Sequence, residues 1–201
     1  MRYSPIQAEV YKKNRAKLYA KLPPKSIVLV ASNDIMPTNA DGTMGFVQNS
    51  ELFYLSGLDQ EESYILLYPD APEQQYKEIA FVRETSELIA IWEGKKFTKK
   101  EVTEISGIQN VQWNTNLDQF LKTLIYTTEH VFVLENEHIR NSSEVETQND
   151  RFIKSLKNQF LTIDFKRLAP FTNEIRMIKE KEEIDQIQKA IDITESGFRR
   201  I

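Results

Sequence analysis

The spacing of apolar residues changes repeatedly along this chain. Unbroken apolar runs alternate with segments in which apolar side chains return every three or four positions. The first pattern predicts strands and the second predicts amphipathic helices. Ser4-Pro5-Ile6-Gln7 reads as a helix start, with Ser4 as cap, Pro5 in the first turn and Gln7 completing a capping box. Ile6, Val10, Leu18 and Leu22 give that helix an apolar face interrupted by Asn14, and Pro23-Pro24 ends it. Ile27 to Ala31 predicts a buried strand. Three further strands are expected at Phe46–Leu55, Tyr64–Tyr68 and Glu78–Arg83, punctuated by Ser56-Gly57 and Pro69-Asp70.

In the second half, Thr98–Ile105 predicts a helix stopped by Gly107, and Val111–Trp113 a short strand. Leu117, Phe120, Leu121 and Leu124 mark one face of a helix capped near Asn114–Asn116. Val131–Leu134 predicts a strand. Phe152, Ile153, Leu156 and Phe160 mark another helix, followed by a last strand at Leu161–Phe165. This alternation, with a hairpin-like cluster in the middle, predicts an α/β fold: a mixed β-sheet flanked by helices on both faces.

Leu168–Asn173 contains a proline and reads as a linker. A final helix follows, with Ile184, Ile187, Ile191, Phe198 and Ile201 on one stripe and Thr194 as its polar interruption. Glu182 and Glu183 sit near its positive end. No glycine or asparagine stops it, and the stripe needs a partner. It could pack on the sheet, but the simpler expectation is truncation, with the helix opening a second domain. The expected division is 1–173 as one domain and 174–201 as linker plus the first helix of the next.

Composition narrows the function. Of 201 residues, 40% are hydrophobic and 28% charged, and the net charge is −4. A weakly acidic chain without a basic block predicts no nucleic acid and no anionic membrane as partner. Cysteine is absent, which removes disulfides, thiolate metal sites and a cysteine nucleophile. The N-terminus has no apolar h-region, and no run approaches a membrane span. A cytoplasmic location is expected.

Catalytic motifs are scarce. His130 and His138 form no zinc-binding pair, and no phosphate-binding or nucleophile-elbow motif occurs. The carboxylate pairs Glu61-Glu62 and Glu182-Glu183 are adjacent, so their members point apart and read as a solvated face. Two stretches stand out. Gln48 and Asn49 are amides in a strand-like run and read as a strand-edge cap, or as groups positioning a loop or a neighbouring chain. Trp92, before Gly94, is either core or an exposed aromatic wall at an interface or substrate cleft.

These stretches carry a resemblance. FVQNSELFYLSGLDQEESYILLYP resembles the hallmark of the creatinase/prolidase-type N-terminal domain of Xaa-Pro aminopeptidases (aminopeptidase P, peptidase family M24), through Gln48, Asn49, Ser50, Phe53, Tyr54, Ser56, Gly57 and Glu62. FVRETSELIAIWEGKKF is similar to a second family segment through Phe81, Val82, Trp92, Gly94 and Lys96. EIRMIKEKEEIDQIQKAIDIT resembles the domain-joining signature through Glu174, Arg176, Lys179, Glu183, Ile184, Ala190, Ile193 and Thr194. Val47 stands where the family usually has Arg, and Glu180-Lys181 stand where it has Ser-Pro, which implies a weaker cap.

The resemblance implies an RNase H-like sheet domain joined to a pita-bread domain. That second domain would hold two manganese ions on two Asp, one His and two Glu, all beyond Ile201. It would release the N-terminal residue from peptides with proline second, using a metal-bridging water. No metal ligand and no catalytic residue is therefore expected among residues 1–201, and the fragment alone is expected to be inactive. The sheet domain would build a homo-oligomer, dimer or tetramer, and gate substrate. Trp92 matches a tryptophan that such members place near a neighbour's cleft. The alternatives are a prolidase domain acting on dipeptides, a peptidase-like module that binds peptide or histone without hydrolysis, and, more remotely, a nuclease.

Overall fold

The computed structural model describes residues 6–140 and 144–200. Six strands form one mixed sheet: β1 (Ser26–Ala31), β2 (Tyr64–Leu67), β3 (Glu78–Val82), β4 (Asn110–Trp113), β5 (His130–Val133) and β6 (Phe165–Arg167), in the spatial order β4-β3-β2-β1-β5-β6. β1, β2 and β3 are an antiparallel meander, while β4 joins β3, β5 joins β1, and β6 joins β5, all in parallel. The eight α-helices of the described residues are α1 (Ala8–Tyr19), α2 (Ser50–Ser56), α3 (Glu87–Glu93), α4 (Lys99–Ser106), α5 (Leu117–Leu124), α6 (Gln148–Gln159), α7 (Ala169–Met177) and α8 (Lys181–Phe198).

Helices cover both faces, as the alternating pattern predicts. Because side chains alternate along a strand, β1 divides its residues between two cores. Val28 and Val30 pack with Leu18 of α1, Leu52 and Leu55 of α2, Val102 of α4 and Ile175 of α7. Ile27 and Leu29 pack on the other face with Leu121 and Leu124 of α5 and Ile153 and Leu156 of α6. The central strand is buried on both sides, which is why it reads as an unbroken apolar run.

Four expectations are corrected. Phe46–Leu55 is not a strand: residues 46–49 are loop and α2 follows. Asn49 caps it, its Oδ1 accepting from the N–H groups of Glu51 and Leu52 at 3.0 and 3.1 Å. Gly57 closes it in the left-handed conformation at φ 72°. The last strand begins at Phe165, and residues 161–164 are a turn and a short connection. Leu168–Asn173 is no linker, because α7 starts at Ala169 with Pro170 in its first turn, where the missing N–H has no partner to lose. Asn14 is not a flaw in the apolar face of α1: it is buried, and its Nδ2 donates to the Tyr54 carbonyl at 3.0 Å. The expected Ser4 cap and the apolar Ile201 lie outside the described residues.

α8 keeps its stripe out of the core. Ile184, Ile187, Ile191 and Phe198 are all exposed. Its start is firmer than the Glu180-Lys181 pair suggests. The Glu180 N–H donates to the Glu183 carboxylate at 2.8 Å, and Glu180 pairs with Lys17 of α1 at 2.5 Å.

Candidate functional site

All strands except β2 end on the same edge of the sheet. The chain leaving β3 there forms an arm, residues 83–97, that carries α3. Ser86 caps α3 by accepting from the Ile89 N–H at 3.2 Å, and Gly94 ends it at φ 80°. None of its residues is buried. Leu88, Ile91 and Trp92, spaced as one helical face, all point to solvent, and Trp92 is 81% exposed. Of the two readings open for Trp92, core and exposed wall, the structure places it on an exposed wall.

Both ends of the arm are tied to the turn before β2. On the way out, Arg83 contacts the Glu93 carboxylate at 2.6 and 2.9 Å and Glu62 at 3.4 Å. On the way back, the Lys96 ammonium meets Glu61, and the Phe97 N–H donates to Gln60 Oε1 at 2.6 Å. Glu61 was expected on a solvated face with Glu62. Instead it is buried, while Glu62 sits half-exposed at φ 52°. Adjacent residues do point apart, so one carboxylate of the pair turns inward to receive Lys96. The sequence gives no local signal of this, because the two partners lie 35 residues apart.

Gln48 stabilises the same turn and Asn49 caps α2, so neither marks a strand edge. Gln48 Nε2 donates to the carbonyls of Leu58 and Gln60 at 3.0 and 2.9 Å, and its Oε1 accepts from the Asn49 N–H at 2.7 Å. This is the loop-positioning role that buried amides can fill. Val47 is exposed, its carbonyl accepting from Asn33 Nδ2 at 3.0 Å.

The QNS segment also reaches the third motif. Glu51 pairs with Arg176 of α7, whose guanidinium lies 5.5 Å from the Tyr54 ring centre. Burial pushes the Tyr54 hydroxyl up to about 12, with Glu183 adding to the shift. The three stretches that carry the resemblance thus form one contact chain: arm to turn through Lys96–Glu61, and turn helix to α7 through Glu51–Arg176.

The histidines take no part in it. His130 lies in β5 with Nδ1 2.7 Å from Lys166 Nζ, and His138 Nδ1 accepts from the Arg140 N–H at 3.1 Å. Of the second carboxylate pair, Glu182 faces Lys13 at 3.4 Å and Glu183 serves the start of α8. Among the described residues no three His, Asp or Glu side chains are grouped to hold a metal. The residues present therefore do not fit a dinuclear centre, and no catalytic step is assigned to them.

The sequence model of the aminopeptidase P N-terminal domain matches residues 11–133. This chain belongs to that family. An Xaa-Pro aminopeptidase from Haemophilus influenzae is 26% identical over 194 residues, 96% of this chain and 42% of that protein. Intermediate cleaving peptidase 55 from Saccharomyces cerevisiae is 26% identical over 208 residues, 97% of this chain and 40% of that protein. The chain thus spans about two fifths of the length of the curated relatives it matches. Among solved structures, a Bacillus anthracis protein designated an aminopeptidase P superimposes with a TM-score of 0.86 at 24% identity, over 96% of this chain and 46% of that one. Escherichia coli aminopeptidase P in complex with substrate gives 0.78 at 20% identity, over 95% and 43%. The mixed sheet with helices on both faces is the fold of aminopeptidase P N-terminal domains. No helix among the described residues is long and apolar enough to cross a membrane.

Proposed function

We propose that this chain is the non-catalytic assembly and gating domain of a cytoplasmic Xaa-Pro aminopeptidase. Residues 1–173 form the domain, and 174–201 connect it to a pita-bread domain whose first helix is α8. The whole enzyme releases the N-terminal residue from peptides with proline second, on two divalent metal ions, manganese in the first instance, held by that other domain. The relatives are all peptidases by name, which supports the class. The observation that carries the gating role is the exposed Trp92 on an arm fastened at both ends. An indole held out into solvent on a braced support suits contact with a neighbouring subunit's cleft in a dimer or tetramer.

The test is activity and mass together. The chain 1–201, supplied with manganese, is expected to cleave no Xaa-Pro peptide, and robust turnover would overturn the reading. In the complete gene product, Trp92→Ala is expected to raise KM for Xaa-Pro peptides. Sedimentation of that product is expected to show a dimer or tetramer. Preference for dipeptides over longer peptides would favour the prolidase alternative.

A further inference from the structure

The packing of α1 against α2 leaves one buried polar atom unanswered. Asn14 lies on the apolar face of α1 and is 1% exposed. Its Nδ2 donates to the Tyr54 carbonyl, but its Oδ1 has no hydrogen-bond partner among the described residues. Buried carboxamide oxygens are ordinarily satisfied, because an unmet acceptor keeps the full cost of leaving water. Asn14 borders a pocket of about 390 Å³, the size of a small ligand site. The orphan oxygen therefore points to a donor that enters by that pocket.

The walls select the ligand. Val10 and Tyr11 of α1 and Tyr54 of α2 are buried beside the pocket. Phe53 completes an aromatic side, its ring meeting that of Tyr11 edge-on at 6.1 Å. Burial above all pushes the Tyr11 and Tyr54 hydroxyls up to about 12, so both stay neutral at pH 7. The charged lining residues, Asp59, Arg176 and Glu183, are exposed or half-exposed and lie at the rim. Arg176 is held by Glu51 and the Tyr54 ring, and Glu183 accepts from the Glu180 N–H. A charged ligand would thus enter an apolar interior without a counter-charge, at a heavy desolvation cost.

A flat neutral ring suits these walls, which it can meet edge-to-face. Its polar group has to donate to one acceptor and leave nothing else unpaired. An indole N–H does this, being a donor only, whereas a phenol or an amide also brings an acceptor oxygen. We propose that this pocket binds an indole ring, whose N–H donates to Asn14 Oδ1 while the ring packs between Tyr11, Phe53 and Tyr54. The site rests on the packing of α1 and α2 and not on the peptidase reading. It would hold equally in a peptide-binding module.

Titration of the ¹⁵N-labelled 201-residue chain with free indole tests this. Indole is expected to shift the Asn14 carboxamide saturably and to show nuclear Overhauser contacts from its ring protons to Val10 and Tyr54. Benzofuran has the same shape with an ether oxygen in place of the N–H. It is expected to bind at least about tenfold more weakly, because it sets an acceptor against an acceptor. Asn14→Leu is expected to erase the difference between the two probes, a readout that a loss of fold stability does not produce. If that variant does not fold, the two probes on the unaltered chain decide. A blocked peptide with a central tryptophan binding more tightly than free indole would identify a peptide side chain as the source of the ring. Binding no tighter than free indole would identify a small molecule. Equal affinity for indole and benzofuran, shifts that fail to saturate, or contacts that spare Asn14 and Tyr54 would overturn the proposal and leave the oxygen to ordered water.

Discussion

Lys96 and Glu61 form an ion pair at the base of the Trp92 arm, with only 12% and 9% of their side chains reached by solvent. Removing one member of such a pair leaves the other charge buried without compensation, a loss of about 3–5 kcal/mol. Glu61→Gln is therefore expected to lower the unfolding free energy by about 3 kcal/mol in a urea titration. Arg83 fastens the other end of the arm to the partly exposed carboxylates of Glu62 and Glu93. Pairs of that kind contribute at most about 1 kcal/mol, so Arg83→Ala is expected to cost far less. Equal losses would show that the Lys96 contact is not buried in solution.

Two left-handed glycines separate backbone strain from collision. A Cβ on Gly57 would sit 2.3 Å from the ring of Tyr11, a buried side chain. A Cβ on Gly107 would meet Lys12 Cε, the flexible end of an exposed side chain, at the same distance. Both positions have positive φ, which by itself costs an L residue about 1–2 kcal/mol. Gly107→Ala is expected to lose about that much in chemical denaturation. Gly57→Ala is expected to lose clearly more, because the helix α2 must also part from α1. The opposite ranking would place the Tyr11 ring elsewhere.

These glycines also show how much was legible. Gly107 read as a helix stop because the periodic segment before it was unambiguous. Gly57 read as a break between strands, although Asn49 and Gly57 bracket a two-turn helix by cap chemistry at both ends. Leu52, Tyr54 and Leu55 fit either period over so short a span. Leu168–Asn173 reads as a linker because it contains Pro170, yet that proline's position suits a helix start. The candidate site was half legible. Trp92 stood out by type and spacing, but its brace depends on Glu61 turning inward toward a lysine far along the chain.

Arg15 is the most buried charge of the core, at 1% exposure. From α1 its Nε and Nη2 donate to both Glu78 oxygens at 2.9 Å, and its Nη1 reaches the Leu55 and Ser106 carbonyls at 2.8 and 3.0 Å. It thereby satisfies carbonyls at the ends of α2 and α4 while pairing with the start of β3. The Tyr19 hydroxyl donates to the same carboxylate at 2.7 Å, and burial first, then Glu78, raises its pKa. A lysine cannot reproduce this fork. Arg15→Lys is expected to cost at least about 3 kcal/mol by urea titration, and Tyr19→Phe about 1 kcal/mol. A lysine variant as stable as the parent would mean that solvent reaches the pair.

Acid sensitivity should trace partly to Glu101, in the first turn of α4. Its carboxylate accepts from Lys95 Nζ at 2.5 Å and from the Thr98 N–H and hydroxyl at 2.9 Å. The lysine contact first, and the Thr98 N–H next, hold its pKa at about 2 against an ordinary 4.5. A carboxyl with a depressed folded pKa adds stability above its unfolded value and loses it as pH falls through the folded value. The contribution is therefore complete above pH of about 5 and fades between 4.5 and about 2. Glu101→Gln is expected to be less stable than the parent at pH 7, with the difference closing across that acid window. Because Lys95 is largely exposed, added salt is expected to shrink the lysine share while the Thr98 capping share persists. Unfolding curves of the two proteins, taken between pH 2 and pH 7 at low and high salt, measure both effects. A difference independent of pH would remove Glu101 ionisation from the stability of α4.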